Sequence, residues 1–199
     1  MRLLKRAPLP ALALALALGL SACASGPDMP MEAAIGGRAV ILGQTTMEDL
    51  ASWGYEVNSA GRQDVAHEGD KYIYFHYSLS KGAGSQFWVS VYTPYYGGVN
   101  INREAREAAQ SGIVFAVTLS KSATGKIGAV YNGVDIKDMS FDTAREWGAK
   151  EKEDASKATW DLPAAKGWLR FEAESAFEDE LDSLRVSMNE KTFLSMQKK

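Results

Sequence analysis

Histidine and cysteine are sparse in this chain, and the spacing of its acidic, basic and nucleophilic side chains matches no reaction centre. There are two histidines, His67 and His76. His67 lies in Asp64-Val-Ala-His-Glu-Gly-Asp, a polar turn in which a solvated histidine is expected. His76 falls in the middle of a strand-like run beside Tyr74 and Ser78, where a serine could pair with it, but no aspartate at a recognisable spacing would orient it and there is no Gly-x-Ser-x-Gly elbow. Zinc takes three or four nitrogen or sulfur donors, which two distant histidines among scattered carboxylates do not supply. Glu178-Asp-Glu and Asp182 form an acidic turn without the Asp-x-Asp-x-Asp-Gly spacing of a calcium loop. Ser78-Leu-Ser-Lys81 has Ser-x-x-Lys spacing, yet it ends a strand rather than opening a helix and has no Ser-Asp-Asn or Lys-Thr-Gly companion. Ser122-Ala-Thr-Gly-Lys126 lacks the upstream glycine and trailing hydroxyl of a phosphate loop and reads as a turn. The expectation is therefore a chain with no catalytic residue, no metal and no cofactor. The alternative is a cell-wall or small-ligand enzyme that works with carboxylates such as Glu172, Glu174 or Glu178.

The residues better suited to a task are aromatic. Lys71 to Leu79 reads Lys-Tyr-Ile-Tyr-Phe-His-Tyr-Ser-Leu, a strand pattern, and Phe87-Trp-Val-Ser-Val-Tyr follows a Lys81-Gly-Ala-Gly-Ser turn as its antiparallel partner. Alternation puts Ile73, Phe75, Tyr77 and Leu79 with Phe87, Val89 and Val91 on a core face. Tyr72, Tyr74, His76, Trp88 and Tyr92 fall on the other face, which is expected to be open to a protein partner, since Tyr and Trp anchor interfaces. Nucleic acid is not an expected partner: 22 Lys and Arg face 25 Asp and Glu, and no basic stripe is present.

The elements that must position these residues start after a leader. Met1-Arg-Leu-Leu-Lys-Arg is basic and Ala7 to Leu20 is apolar, the two regions of a signal peptide. That apolar run is shorter than the roughly 20 residues that span a bilayer as a helix. It ends Leu20-Ser21-Ala22-Cys23, which resembles the bacterial lipoprotein lipobox at all four positions. The resemblance implies cleavage before Cys23, a diacylglycerol on its sulfur and an acylated new amino terminus. Several acyl chains hold a protein on a bilayer where one holds it only marginally. Cys23 is the one cysteine in the chain, so no internal disulfide can form. Ala24, in place of Asp, implies by the same resemblance an outer-membrane location with the domain facing the periplasm or the cell surface. Loss of Arg2, Lys5 and Arg6 with the leader takes the formal charge from −3 to −6.

The expected organisation is a leader over 1–22, a Pro- and Gly-rich tether over 23–37 and an α+β domain over 38–199. Thr45-Thr-Met-Glu48 reads as a capping box opening a short helix that stops at Gly54. Arg38–Leu42 is a short strand, and Asn102–Gln110 suits a helix. Ile113–Leu119 and Ile127–Tyr131 read as a hairpin around Ser122 to Lys126. Met47, Trp53 and Gly54 match Phe141, Trp147 and Gly148 at an offset of 94, and Val89-Ser-Val91 matches Val186-Ser-Met188 at 97. This suggests a duplication with copies over about 38–131 and 132–199. Lys150 to Lys157 is a solvated charge run.

The unit Gly43-Gln-Thr-Thr-Met-Glu-Asp-Leu-Ala-Ser-Trp-Gly54, followed by Tyr72-Ile-Tyr-Phe75, resembles the helix-and-strand signature of the SmpA/OmlA small outer-membrane lipoproteins. Tandem copies of it resemble the β-lactamase inhibitor protein fold. Trp53 stands where the family usually has Leu. The resemblance implies a curved antiparallel sheet with short helices packed on one face, and a non-enzymatic envelope lipoprotein acting by protein–protein contact.

Overall fold

The computed structural model describes residues 26–67, 70–82, 86–94, 101–124, 126–153, 156–175 and 180–197, with backbone alone at 60–67, 70–74, 93, 94, 101 and 102. Cys23 and the leader lie outside the described residues. Among the described residues, no helix is long and apolar enough to cross a membrane.

The chain opens with a hairpin, β1 (Glu32–Ile35) and β2 (Arg38–Ile41), followed by helix α1 (Met47–Ser52) and by β3 (Glu56–His67), β4 (Asp70–Ser80) and β5 (Gln86–Pro94). Helix α2 (Ile101–Ser111) leads into β6 (Val114–Ser120) and the single turn α3 (Lys121–Thr124). The order then recurs: hairpin β7 (Ala129–Tyr131) and β8 (Val134–Asp135), a 3-10 turn over Ile136–Asp138, helix α4 (Phe141–Glu146), and strands β9 (Lys150–Glu151), β10 (Thr159–Ala164), β11 (Gly167–Ala173) and β12 (Leu181–Met188). Helix α5 (Glu190–Gln197) follows. The class is α+β, with the described strands in two antiparallel sheets. The larger sheet runs β3-β4-β5-β6-β12-β11-β10-β9 and the smaller β2-β1-β7-β8. Both orders are symmetric about their centres: β6 meets β12 in the middle of one, and β1 meets β7 in the middle of the other.

The two short helices are built alike. Thr46 caps α1 by accepting from the Asp49 N–H at 3.1 Å, while the Asp49 carboxylate accepts from the Thr46 N–H at 2.8 Å. Ser140 and Thr143 do the same for α4. Each helix stops at a Trp followed by a glycine in the left-handed region, Gly54 at φ 85° and Gly148 at φ 90°. The next residue then bonds five back, Tyr55 N–H to the Leu50 carbonyl and Ala149 N–H to the Ala144 carbonyl. This is the Schellman ending, which a residue with a Cβ adopts only with strain. The capping box thus sits one residue later than the sequence suggests; Thr45 instead accepts from the Ile41 N–H and ties β2 to the helix entry.

Helices α1, α2 and α4 and the small sheet cover one face of the large sheet. Phe75, Tyr77 and Leu79 of β4 and Phe87, Val89 and Val91 of β5 are buried there, as alternation predicts, and join Val117, Leu119, Leu169, Phe171, Leu184 and Val186 in one core. Tyr55 meets Phe87 edge-on at 5.1 Å, Trp147 meets Phe171 at 6.0 Å, and Tyr77 donates to the Ala105 carbonyl of α2 at 2.6 Å.

Several expectations are corrected. The stretch 23–37 is not a tether over its described part: Met29, Met31, Ala33 and Ile35 are buried, and β1 sits inside the small sheet because its alternate residues are apolar. Val114–Ser120 and Ala129–Tyr131 do not form a hairpin; β6 pairs with β5 and β12, β7 with β1 and β8, and the segment read as a turn includes α3, between the two sheets. β3 runs into the segment that reads as a polar turn, and His67 ends it opposite Asp70, its side chain outside the described residues. The match at offset 97 pairs strands that are not equivalent in the sheet order, since Val89 lies in β5 and Val186 in β12; the match at 94 falls on the two equivalent helices.

Candidate interaction face

The other face of the large sheet gathers the polar and aromatic side chains. Its central row runs across six strands as Ser78, Trp88, Thr118, Arg185, Arg170 and Asp161. The row beside it runs His76, Ser90, Ala116, Ser187, Trp168 and Pro163. The strands place them there for one reason: their neighbours of opposite parity, Val89, Val117, Val186 and Leu169, are apolar and take the core side.

These side chains touch across strands. Arg170 grips the Asp161 carboxylate with two hydrogen bonds, Nε to Oδ1 at 2.7 Å and Nη2 to Oδ2 at 2.9 Å, which hold the guanidinium still more firmly protonated. The Arg170 and Arg185 guanidinium carbons lie 5.2 and 5.6 Å from the Trp168 ring centroid, a cation–π arrangement of two arginines on one indole. Arg185 also donates to Ser90 Oγ at 3.1 Å, and Ser90 Oγ lies 2.8 Å from His76 Nδ1. Burial and then the charge of Arg185 push the His76 imidazole down to about 4, so it is neutral at pH 7. A neutral ring lets Ser90 donate to Nδ1 while accepting from Arg185.

A serine bonded to a histidine invites comparison with a hydrolase, but the arrangement lacks the requirements. Ser90 is 1% exposed, its oxygen is engaged by Arg185, and an imidazole that protonates near pH 4 is a weak base at neutral pH. Ser78 is also buried and bonds Gln86, while Lys81 reaches the Trp53 carbonyl at 2.8 Å, so that Ser-x-x-Lys spacing carries no chemistry. Glu172 pairs with Lys157 at 3.7 Å. Glu174 is exposed at the end of β11, and Glu178 lies outside the described residues. Asp182 of the acidic turn accepts from Ser120 at 3.1 Å. Among the described residues, no group of three or more His, Cys, Asp or Glu is placed to hold a metal ion.

Of the five residues expected on the open face, Trp88 is exposed, at 37%. His76 is half-buried in the network above. Tyr92 is also half-buried: a bulge in β6 opposite Ser90 and Val91 turns Phe115 toward it, and Phe193 of α5 packs on both, with ring centroids 5.0 Å from Tyr92 and 5.3 Å from Phe115. Tyr72 and Tyr74 pair with Pro94 and Tyr92 in the β4–β5 register, and their side chains lie outside the described residues. Sequence reading missed Trp168, Arg170, Arg185 and Asp161. The signal was the period-two run Gly167-Trp-Leu-Arg-Phe-Glu-Ala173, whose alternate members are buried. Compared with protein-family models, with curated proteins and with solved structures, the chain matches none.

Proposed function

We propose that this chain is a non-enzymatic envelope lipoprotein, held on the outer membrane through acylated Cys23, that binds another envelope protein with the face around Trp88 and Trp168. The observation that carries the reading is Trp88: among the described residues it is the exposed aromatic, and it stands on a sheet face whose opposite side takes α1, α2, α4 and the small sheet. A partly exposed indole on β5, on the same sheet face as a second indole and two arginines on β11 and β12, gives that face the composition of an interface, where Trp, Tyr and Arg carry most of the energy. The lipobox resemblance of Leu20 to Cys23 supports the anchor. The mirrored sheet orders and the matching ends of α1 and α4 support a duplicated chain, in which Trp88 and Trp168 come from different copies. The buried Ser90 and the paired Glu172 speak for binding rather than turnover.

The test is capture from cross-linked envelopes by the full-length protein, compared with Trp88→Ala, with Val130→Ala on the far sheet, and with Cys23→Ser. Loss of a central Trp anchor costs about 2 kcal/mol or more, roughly 30-fold in affinity. Trp88→Ala is expected to lose the partner while keeping the melting temperature, Val130→Ala to retain it, and Cys23→Ser to leave the membrane fraction. Equal recovery of the same partner by wild type and Trp88→Ala would remove this face from the function.

A further inference from the structure

Four of the seven methionines, Met29, Met31, Met188 and Met196, line one open pocket of about 550 Å³ between β1–β2, the end of β12 and helix α5. The sulfurs of three of them lie against two glycines, Met188 and Met196 at Gly43 and Met31 at Gly167. A Cβ built on Gly43 would lie 3.2 Å from Met188 Sδ and 3.1 Å from Met196 Sδ, and one on Gly167 would lie 2.7 Å from Met31 Sδ and 3.0 Å from the Met188 Cα. Two thioethers therefore meet over the bare Gly43 backbone, and a third stands beside the strand that carries Met188. Asp28 and Glu32 line the same pocket, countered by one cation, Lys166, which lies 3.8 Å from Asp28. The pocket thus combines soft donors with a small excess of negative charge, which draws cations.

We propose that this pocket binds a soft monovalent metal ion, cuprous copper or its analogue silver, through the thioethers of Met188, Met196 and Met31. Thioether sulfur is a soft donor that prefers Cu(I) to the hard divalent ions, so the absence of a His, Cys, Asp and Glu cluster among the described residues does not count against it. Methionine has three rotatable bonds, so the sulfurs can close on an ion without moving the backbone. Gly43, in the left-handed region at φ 79°, keeps the meeting point clear; a side chain there would fill it. The site lies away from Trp88 and does not depend on that face binding a partner.

The experiment is titration of the full-length protein in detergent with Ag(I), and with Cu(I) buffered by a chromophoric chelator, reading stoichiometry, affinity and melting temperature. One ion is expected to bind, with a rise in melting temperature. A Met188→Leu/Met196→Leu double variant is expected to lose the binding while staying folded, because Leu and Met have similar volumes. Met139→Leu, a buried methionine outside the pocket, should bind as wild type does. Absence of ion binding by wild type, or binding unchanged in the double variant, would overturn the proposal.

Discussion

His76 shows how one side chain ties the face to solution conditions. Its imidazole titrates near 4 in the fold against 6.5 for the free side chain, so between those values the unfolded chain binds the proton and the native one does not. Stability therefore falls as pH drops from 6.5 toward 4 and is unaffected by this group above that window. The shift corresponds to roughly 3 kcal/mol at the acid end of the window. Urea midpoints measured across it should fall more steeply for wild type than for His76→Gln; parallel curves would mean that the ring is not held neutral. Trp88 and Trp168 differ by environment rather than type: one is exposed, the other lies against two guanidinium groups.

Helices α1 and α4 have six residues each, too short to persist alone in water, so their ends must supply what their length does not. Both capping boxes and both Schellman endings do this, and α1 further buries Met47 and Leu50 against the sheet. Thr46→Ala and Ser140→Ala should each destabilise the protein by about 1 kcal/mol in urea denaturation, with Thr46→Ala the larger of the two because its box closes on a carboxylate. The hydrogen bonds that Thr46 makes, from backbone first and side chain second, hold the Asp49 carboxyl below its ordinary range, and this contribution fades as Asp49 protonates in acid. No loss in either variant would mean that packing alone sets the helix starts.

At the scale of the molecule, two seams join the halves. Strand β12 pairs with β6 from Ser183↔Ser120 to Ser187↔Ala116, and β7 pairs with β1 through Val130↔Ala34 and Ala129↔Ile35. Tyr131, which the sheet order assigns to the later half although the sequence match places the boundary after it, is fully buried and donates to the Pro30 carbonyl at 2.9 Å, and the buried residues of both halves form one cluster. Unfolding is therefore expected as one transition, with tryptophan fluorescence and far-UV circular dichroism coinciding. Two separated transitions would show that the halves fold as independent units.

Local composition sufficed for the features that depend on neighbours in the chain. The β4–β5 hairpin with its core face, the Trp-Gly helix ends and the α+β class all follow from alternation and from glycine's access to positive φ. Sequence also confined the expected chemistry, because two histidines and one cysteine leave few combinations. Tertiary structure alone decided which strands meet: β6 joins β12 across more than sixty residues of chain, and no local pattern encodes that pairing. For the same reason the cross-strand set of His76, Ser90, Arg185, Trp168, Arg170 and Asp161 was illegible, each member being an ordinary outward residue of its own strand. The partial burial of Tyr92 likewise depended on a bulge at Phe115 and on packing of Phe193 from α5. Alternation tells which residues share a face of a strand, but only the packing of distant elements determines whether that face is left to water.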